Sequence, residues 1–418
     1  MNCFSRLCFA ALLAAALAAC GAPASESDAG DPLRYDVDYR VTLRPDSATA
    51  EVRMRVRQER HLLREIQFDA RRVGDLDADG NLVIDGDRAT WTLPENGGDL
   101  SWSVRLEHRR GGDGFDALLT PAYGIFRAED LVPRAAARSL RGSRSHTRLR
   151  LLTPGAWSAV TEYPEADGSF YVSRPGRRFA QPAGWIAVGD LGVRREQIAG
   201  VRVAIAGPTG QAIRRLDMLA LLNWNLPELA RVIPELPARL TVVSAGDPMW
   251  RGALSAPQSI YVHADRPLIS ENGTSTLLHE LMHVALGASS ADGFDWIIEG
   301  IAEYYSLELM KRSGTLTPER YLDAIEFQRQ WARDANRLCA RHSSGATTAY
   351  AVMRMHALDA EIREATEGES SLDDVLLQLV DSADIDLATL LSAATAVLGH
   401  KPDALHSDRL PGCRSIGG

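Results

Sequence analysis

From Tyr35 to about Pro208, apolar and polar residues alternate with a period of two. Tyr35, Val37, Tyr39, Val41 and Leu43 fall on one strand face; Val52, Met54 and Val56, then Leu100, Trp102, Val104 and Leu106, repeat the pattern. Successive side chains of a strand point to opposite sides, so the alternation predicts strands with one face buried and one solvated. Turn formers such as Asp77-Ala78-Asp79-Gly80 and Glu95-Asn96-Gly97-Gly98 separate the runs. Residues 33–208 therefore read as an all-β N-terminal domain.

Near Gly210 the period lengthens. Ile213, Leu216, Leu219, Ala220 and Leu222 stand at helical spacing, and the helix is expected to stop before Pro227, which has no N–H to donate. Two short apolar runs, Leu240 to Val243 and Ile260 to Val262, predict strands of a small sheet, the second serving as an edge that an extended chain could join. Beyond them the chain reads as helical: Thr317-Pro318 makes an N-cap with proline at the first helical position, and Ser371 to Asp374 makes a capping box. The expected fold class is α+β, with the β-rich domain followed over 209–418 by a second domain of small sheet and helical C-terminal part.

The candidate chemistry lies between that sheet and those helices. Thr274, Ser275 and Thr276 offer capping hydroxyls, Gly287 predicts a stop, and Leu277, Leu278, Leu281, Met282 and Leu286 make the intervening helix mostly apolar. Within it stands His279-Glu280-Leu281-Met282-His283. Residues four apart share a helix face, so His279 and His283 can aim two imidazoles at one ion, with Glu280 beside them to take a proton from water. Such groups are costly in an apolar helix without a partner, and a metal supplies one. Zinc takes nitrogen and carboxylate ligands in a tetrahedral array and, in catalytic sites, leaves one position for water. Glu299 is the candidate third ligand. It lies in a second helical stretch whose apolar positions are Trp296, Ile297, Ile301, Tyr304 and Tyr305, with Glu303 four residues on. His263, His342 and His356 read as structural or surface histidines.

These two motifs resemble those of the gluzincin metallopeptidases. Trp296-Ile297-Ile298-Glu299-Gly300-Ile301-Ala302-Glu303-Tyr304 is similar to the Trp-Leu-x-Glu-Gly-Phe-Ala-x-Tyr block of the aminopeptidase N family. The stretches 307–314, 317–322, 358–366 and 371–375 resemble the glycyl aminopeptidase family more closely, so the likeness covers about residues 275 to 380. It implies a thermolysin-like catalytic domain behind a β-domain, one Zn2+ held by His279, His283 and Glu299, Glu280 as general base, and a peptide or protein substrate. It also carries the oxyanion-stabilising role onto Tyr350, in Thr348-Ala349-Tyr350-Ala351, and onto Glu303 the role of fixing the tautomer of a ligating histidine. Aminopeptidase N grips the substrate amino terminus with a Gly-Ala-Met-Glu-Asn segment. Its nearest match here, Gly252-Ala253-Leu254-Ser255-Ala256, has no carboxylate. Aminopeptidase and endopeptidase both remain open, with Glu271 and Glu303 as possible substitutes for the missing glutamate. An inactive gluzincin-like lipoprotein that binds peptides or scaffolds an envelope assembly is the alternative, but it would have no need of Glu280.

The N-terminus bears on where this chemistry works. Arg6 precedes an apolar run from Cys8 to Ala19, and Leu17-Ala18-Ala19-Cys20 matches a bacterial lipobox. Residues 1–19 then read as a lipoprotein signal peptide, and 20–32 as a lipidated Cys20 with a flexible tether. Gly21 in place of aspartate points to the outer membrane facing the periplasm. Cys339 and Cys413 are the cysteines that remain, and an even remainder in an oxidising compartment predicts one disulfide, tying the helix around Cys339 to the C-terminal tail. No later apolar run is long enough to span a bilayer. With 418 residues, 45% apolar composition and a formal net charge of −9, the chain can bury a full core. Its basic residues look scattered, as Arg53, Arg55 and Arg57 do on one strand face, which gives nucleic-acid binding no support.

Overall fold

A computed structural model describes residues 31–112 and 114–413. The signal peptide, Cys20 and most of the tether lie outside these residues.

The period-two runs form strands as their alternation requires. Strand β1 (Arg34–Arg44) pairs antiparallel with β2 (Thr49–Arg57) and parallel with β3 (Arg144–Leu152). Tyr35, Val37, Tyr39, Val41 and Leu43 are all buried, as are Val52, Met54 and Val56 of β2 and Trp102 on the neighbouring strand Gly97–Arg105. These strands belong to a seven-stranded sheet, which shares one apolar core with a five-stranded and a four-stranded sheet.

The following sheet begins earlier than the change of period suggests. Strands β4 (Leu191–Ile198) and β5 (Val201–Pro208) form a hairpin, and β5 runs parallel to β6 (Arg239–Ala245), with Val203 opposite Leu240 and Ile205 opposite Val242. The sheet is completed by β7 (Ala253–Ala256) and β8 (Ser259–His263), in the order β4-β5-β6-β8-β7. A boundary at residue 208 therefore falls inside one sheet. Alternation records which face of a strand is wet; membership of a sheet follows the core it covers, and Ile198, Val201, Val203 and Ile205 pack with the helices.

Two further expectations are corrected. The edge strand is β7, not Ile260 to Val262: β8 lies between β6 and β7 with every residue buried, as suits a short continuous apolar run. Helix α1 (Arg215–Val232) continues through Pro227. Leu229 and Val232 are buried beyond the proline, and this burial outweighs the one backbone hydrogen bond that Pro227 removes.

The remaining helices are α2 (Thr276–Leu286), α3 (Asp295–Arg312), α4 (Pro318–Trp331), α5 (Ala346–Ala365), α6 (Leu372–Leu377) and α7 (Leu387–Leu398). Thr317 caps α4, and Ser371 with Asp374 forms the box on α6. Gly300 lets α3 and α5 cross closely, since a Cβ there would stand 2.8 Å from that of Ala351. Cys339 lies in the loop between α4 and α5 rather than in a helix, and is disulfide-bonded to Cys413.

Between the first unit and the small sheet a third core forms from Phe115, Tyr123 and Trp185 with Val243, Met249 and Tyr261. Polar bonds cross it as well: the Trp185 backbone N–H donates to Ser259 Oγ at 2.8 Å, its indole N–H to the Leu254 carbonyl at 3.0 Å, and Thr241 Oγ1 to the Thr161 carbonyl at 3.1 Å. Among the described residues, no helix is long and apolar enough to cross a membrane.

Candidate metal centre

Helix α2 is set at both ends by its sequence. Ser275 accepts from the Leu278 N–H, and Gly287 at φ 59° closes the last turn in the left-handed region. Leu277, Leu278, Leu281, Met282, Ala285 and Leu286 are buried, which turns His279, Glu280 and His283 toward the partly open side. Helix α3 packs against α2 and buries Trp296, Ile297, Ile301, Tyr304 and Tyr305, leaving Glu299 and Glu303 on the stripe between the helices.

The structure brings His279, His283 and Glu299 together. Their nearest nitrogen and oxygen atoms are separated by 3.1 Å between the two Nε2 atoms, 3.3 Å from His279 Nε2 to Glu299, and 3.4 Å from His283 Nε2 to Glu299. Nitrogen and oxygen ligands about 2.0–2.1 Å from one tetrahedral ion stand roughly 3.3–3.4 Å from one another. The donor set fits zinc in chemistry and in spacing.

Glu303 completes the arrangement from behind. Its carboxylate accepts from His279 Nδ1 at 2.9 Å, which places the proton of a neutral imidazole on that nitrogen and leaves the Nε2 lone pair facing His283 and Glu299. Burial opposes a charge on His279, yet the carboxylates of Glu299 and Glu303 outweigh it and hold its pKa well above the ordinary histidine value. Burial likewise opposes ionisation of Glu299, and its bonds to the two imidazoles overcome this and hold it far below the usual carboxylate range. The group is thus built to hold positive charge.

Glu280 lies with His279, Glu299 and Glu303 on a cleft of about 390 Å³ that also takes in Trp250, Ala253, Arg266, Trp331, Ser343 and Thr348. Ala253 belongs to the segment matched to the substrate-gripping motif; the other five were not foreseen. They come from separate segments with no shared spacing, and only the exposure of Trp331 hints at a surface with work to do. Strand β7 borders the cleft. The His263 N–H donates to the Gly252 carbonyl, so the alternation of an antiparallel pair turns the backbone groups of Ala253 and Ser255 to the open side.

Tyr350 is not brought to this cleft. Its hydroxyl donates to the Arg409 carbonyl at 2.8 Å, Arg354 lies over its ring, and the cleft is lined instead by its neighbours Thr348 and Ala349. This geometry lends the oxyanion role carried onto Tyr350 no support: on α5, the residue that follows two cleft-lining positions is turned about 100° away from the second of them. Glu271 is exposed and does not line the cleft, and His263 and His356 are held elsewhere, the former fully buried and the latter edge-on to Tyr304.

No family model and no curated protein matches the chain. Solved structures do. An aminopeptidase N family protein from Idiomarina loihiensis is 15% identical with a TM-score of 0.64, over 90% of this chain and 74% of that one. A mutant M1 zinc metallopeptidase from Deinococcus radiodurans is 17% identical with a TM-score of 0.59, over 89% and 91%. Yeast LTA4 hydrolase is 14% identical with a TM-score of 0.57, over 92% and 69%. The fold is thus the α+β architecture of these proteins, a β-rich first domain ahead of a second one with a small sheet and a helical C-terminal part.

Proposed function

We propose that the protein is a zinc-dependent peptidase. The observation that carries this reading is the convergence of His279, His283 and Glu299 at tetrahedral spacing, with Glu280 on the same cleft beneath an open strand edge. Zinc held there would polarise a peptide carbonyl and make a neighbouring water more acidic. Glu280 takes the proton of the attacking water and passes it to the leaving amine. The substrate lies extended along β7, where Ala253 and Ser255 supply the backbone groups that orient the scissile carbonyl.

The cleft lining has no acid beyond Glu280 and the two, Glu299 and Glu303, that hold or orient the histidine cluster, so no carboxylate is reserved for a substrate ammonium. Cleavage therefore does not depend on a free amino terminus. The test compares wild type with Glu280→Gln on a peptide library with free and acetylated termini. Expected are one zinc in each protein, hydrolysis in wild type alone, and equal cutting of acetylated peptides. Equal activity of the variant would remove Glu280 from the mechanism, and loss of cutting on acetylation would make the enzyme an aminopeptidase.

The site of action proposed is the bacterial envelope, with a lipid on Cys20 holding the protein to the outer membrane on its periplasmic side. The lipobox Leu17 to Cys20 supports this, and the Cys339–Cys413 disulfide suits an oxidising compartment. Feeding cells a radiolabelled fatty acid should tag the wild type and leave Cys20→Ser unlabelled and at the higher mass of an uncleaved precursor; a wild type that takes up no label would dispose of the lipid.

A further inference from the structure

Arg53, Arg55 and Arg57, scattered to the eye in the sequence, are drawn by strand register into a dense basic face. On the outer side of the seven-stranded sheet, Arg40 of β1 stands directly opposite Arg53 of β2 on one side and Arg150 of β3 on the other. Like charges directly opposite in neighbouring strands destabilise a sheet. The adjacent row is built otherwise: Arg148, Asp38, Arg55 and Asp99 alternate in sign across four strands. Arg148 lies 2.7 Å from Asp38, and Arg55 2.7 Å from Asp99.

The row centred on Arg40 contains no carboxylate. Arg53 reaches across to Asp99 at 2.8 Å, and Arg150 donates to the Ser169 hydroxyl at 3.1 and 3.2 Å. Arg40 is exposed and has no side-chain hydrogen-bond or salt-bridge partner among the described residues. Six arginines, at 40, 53, 55, 57, 148 and 150, gather around Asp38 on this face, in a chain whose formal net charge is −9. A groove of about 290 Å³ runs between the guanidinium groups, with Ser169 at its side.

We propose that this groove binds a phosphate group. Guanidinium forks match phosphate oxygens two at a time, and the three arginines of one row offer such forks from a rigid sheet. A dianion placed among Arg40, Arg53 and Arg150 turns their mutual repulsion into attraction. The Ser169 hydroxyl, which accepts from Arg150, keeps its own proton to donate to the anion. An anionic phospholipid headgroup and a soluble phosphate compound present the same chemistry to these residues, and the groove lies in the first unit, away from the residues of the metal centre.

The experiment titrates the full-length protein in a neutral detergent by calorimetry, first with inorganic pyrophosphate and then with micelles carrying either phosphatidylglycerol or phosphatidylcholine. Saturable binding of pyrophosphate, weakened about tenfold or more in an Arg40→Gln/Arg150→Gln variant, supports the site with a soluble phosphate as its source. Binding confined to phosphatidylglycerol micelles, weakened in the same way, supports it with a lipid headgroup. Failure of both probes to bind, or equal binding by wild type and variant, overturns the proposal. Because the substitutions remove like charges at exposed positions, the variant should melt at or above the wild-type temperature without phosphate. The single Arg40→Gln change carries the same comparison independently.

Discussion

Glu303 decides which nitrogen of His279 carries its proton, and so whether that imidazole offers a lone pair to an ion. Replacing it with alanine should weaken zinc binding about 10- to 100-fold in equilibrium dialysis, while leaving the three ligand side chains intact. An unchanged affinity would reduce Glu303 to a bystander. Tyr350→Phe makes the opposite point. It removes one hydrogen bond to the Arg409 carbonyl, so stability should fall by about 1 kcal/mol and turnover should stay near wild type. A fall of about a hundredfold in kcat would restore the oxyanion role. The difference between the two residues explains what was legible. His279, Glu280 and His283 share one helix, and its geometry fixes their relation; Glu299 and Glu303 share the next. Tyr350 is linked to a carbonyl 59 residues further on, and no local pattern reports that contact.

The helices behind the metal centre are joined by polar bonds that respond to pH. Asp373 on α6 receives two hydrogen bonds from Arg312 of α3, at 2.7 and 3.0 Å, and one from the Tyr305 hydroxyl at 2.7 Å. Burial opposes its ionisation, yet Arg312 and Tyr305 outweigh this and hold the carboxyl below its ordinary value. A carboxyl whose pKa is lower folded than unfolded contributes stability that is full above the unfolded value, about 4, and is lost as the pH falls through the folded one. The thermal midpoint should therefore drop on acidification below about pH 4, and Asp373→Asn should flatten that part of the profile and cost about 2–3 kcal/mol at neutral pH. A variant whose midpoint follows the wild-type curve would rule the pairing out. Elements with strong local signals were legible: the faces of β1 and β2, the caps of α2, α4 and α6. Those set by tertiary contacts were not. Pro227 reads as a stop until the burial of Leu229 and Val232 is seen, and Ala253–Ala256 is too short and too weakly apolar to announce the sheet edge that β8 seemed to provide.

Across the whole molecule, the Cys339–Cys413 disulfide joins the loop that walls the cleft to the tail, a sequence separation of 74 residues. The Leu338 N–H donates to the Pro411 carbonyl, and the Ser343 N–H to Asp295 at the start of α3, so the same loop is held at both ends of its span. Reduction should lower stability by up to about 4 kcal/mol and loosen the wall carrying Ser343 and Thr348. The expected reading is a rise in KM with zinc content unchanged; full activity with a reduced pair would separate the loop from substrate binding. The arrangement of the small sheet has a different consequence. Residues 209–214 connect β5 to α1, largely on the surface, and a protease that cut there would meet little resistance. Yet β5 would remain seated between β4 and β6, and Trp185 would still hold Ser259 and Leu254. The two fragments would migrate apart under denaturing conditions and travel as one particle in native buffer: the molecule can be nicked at this point without being divided.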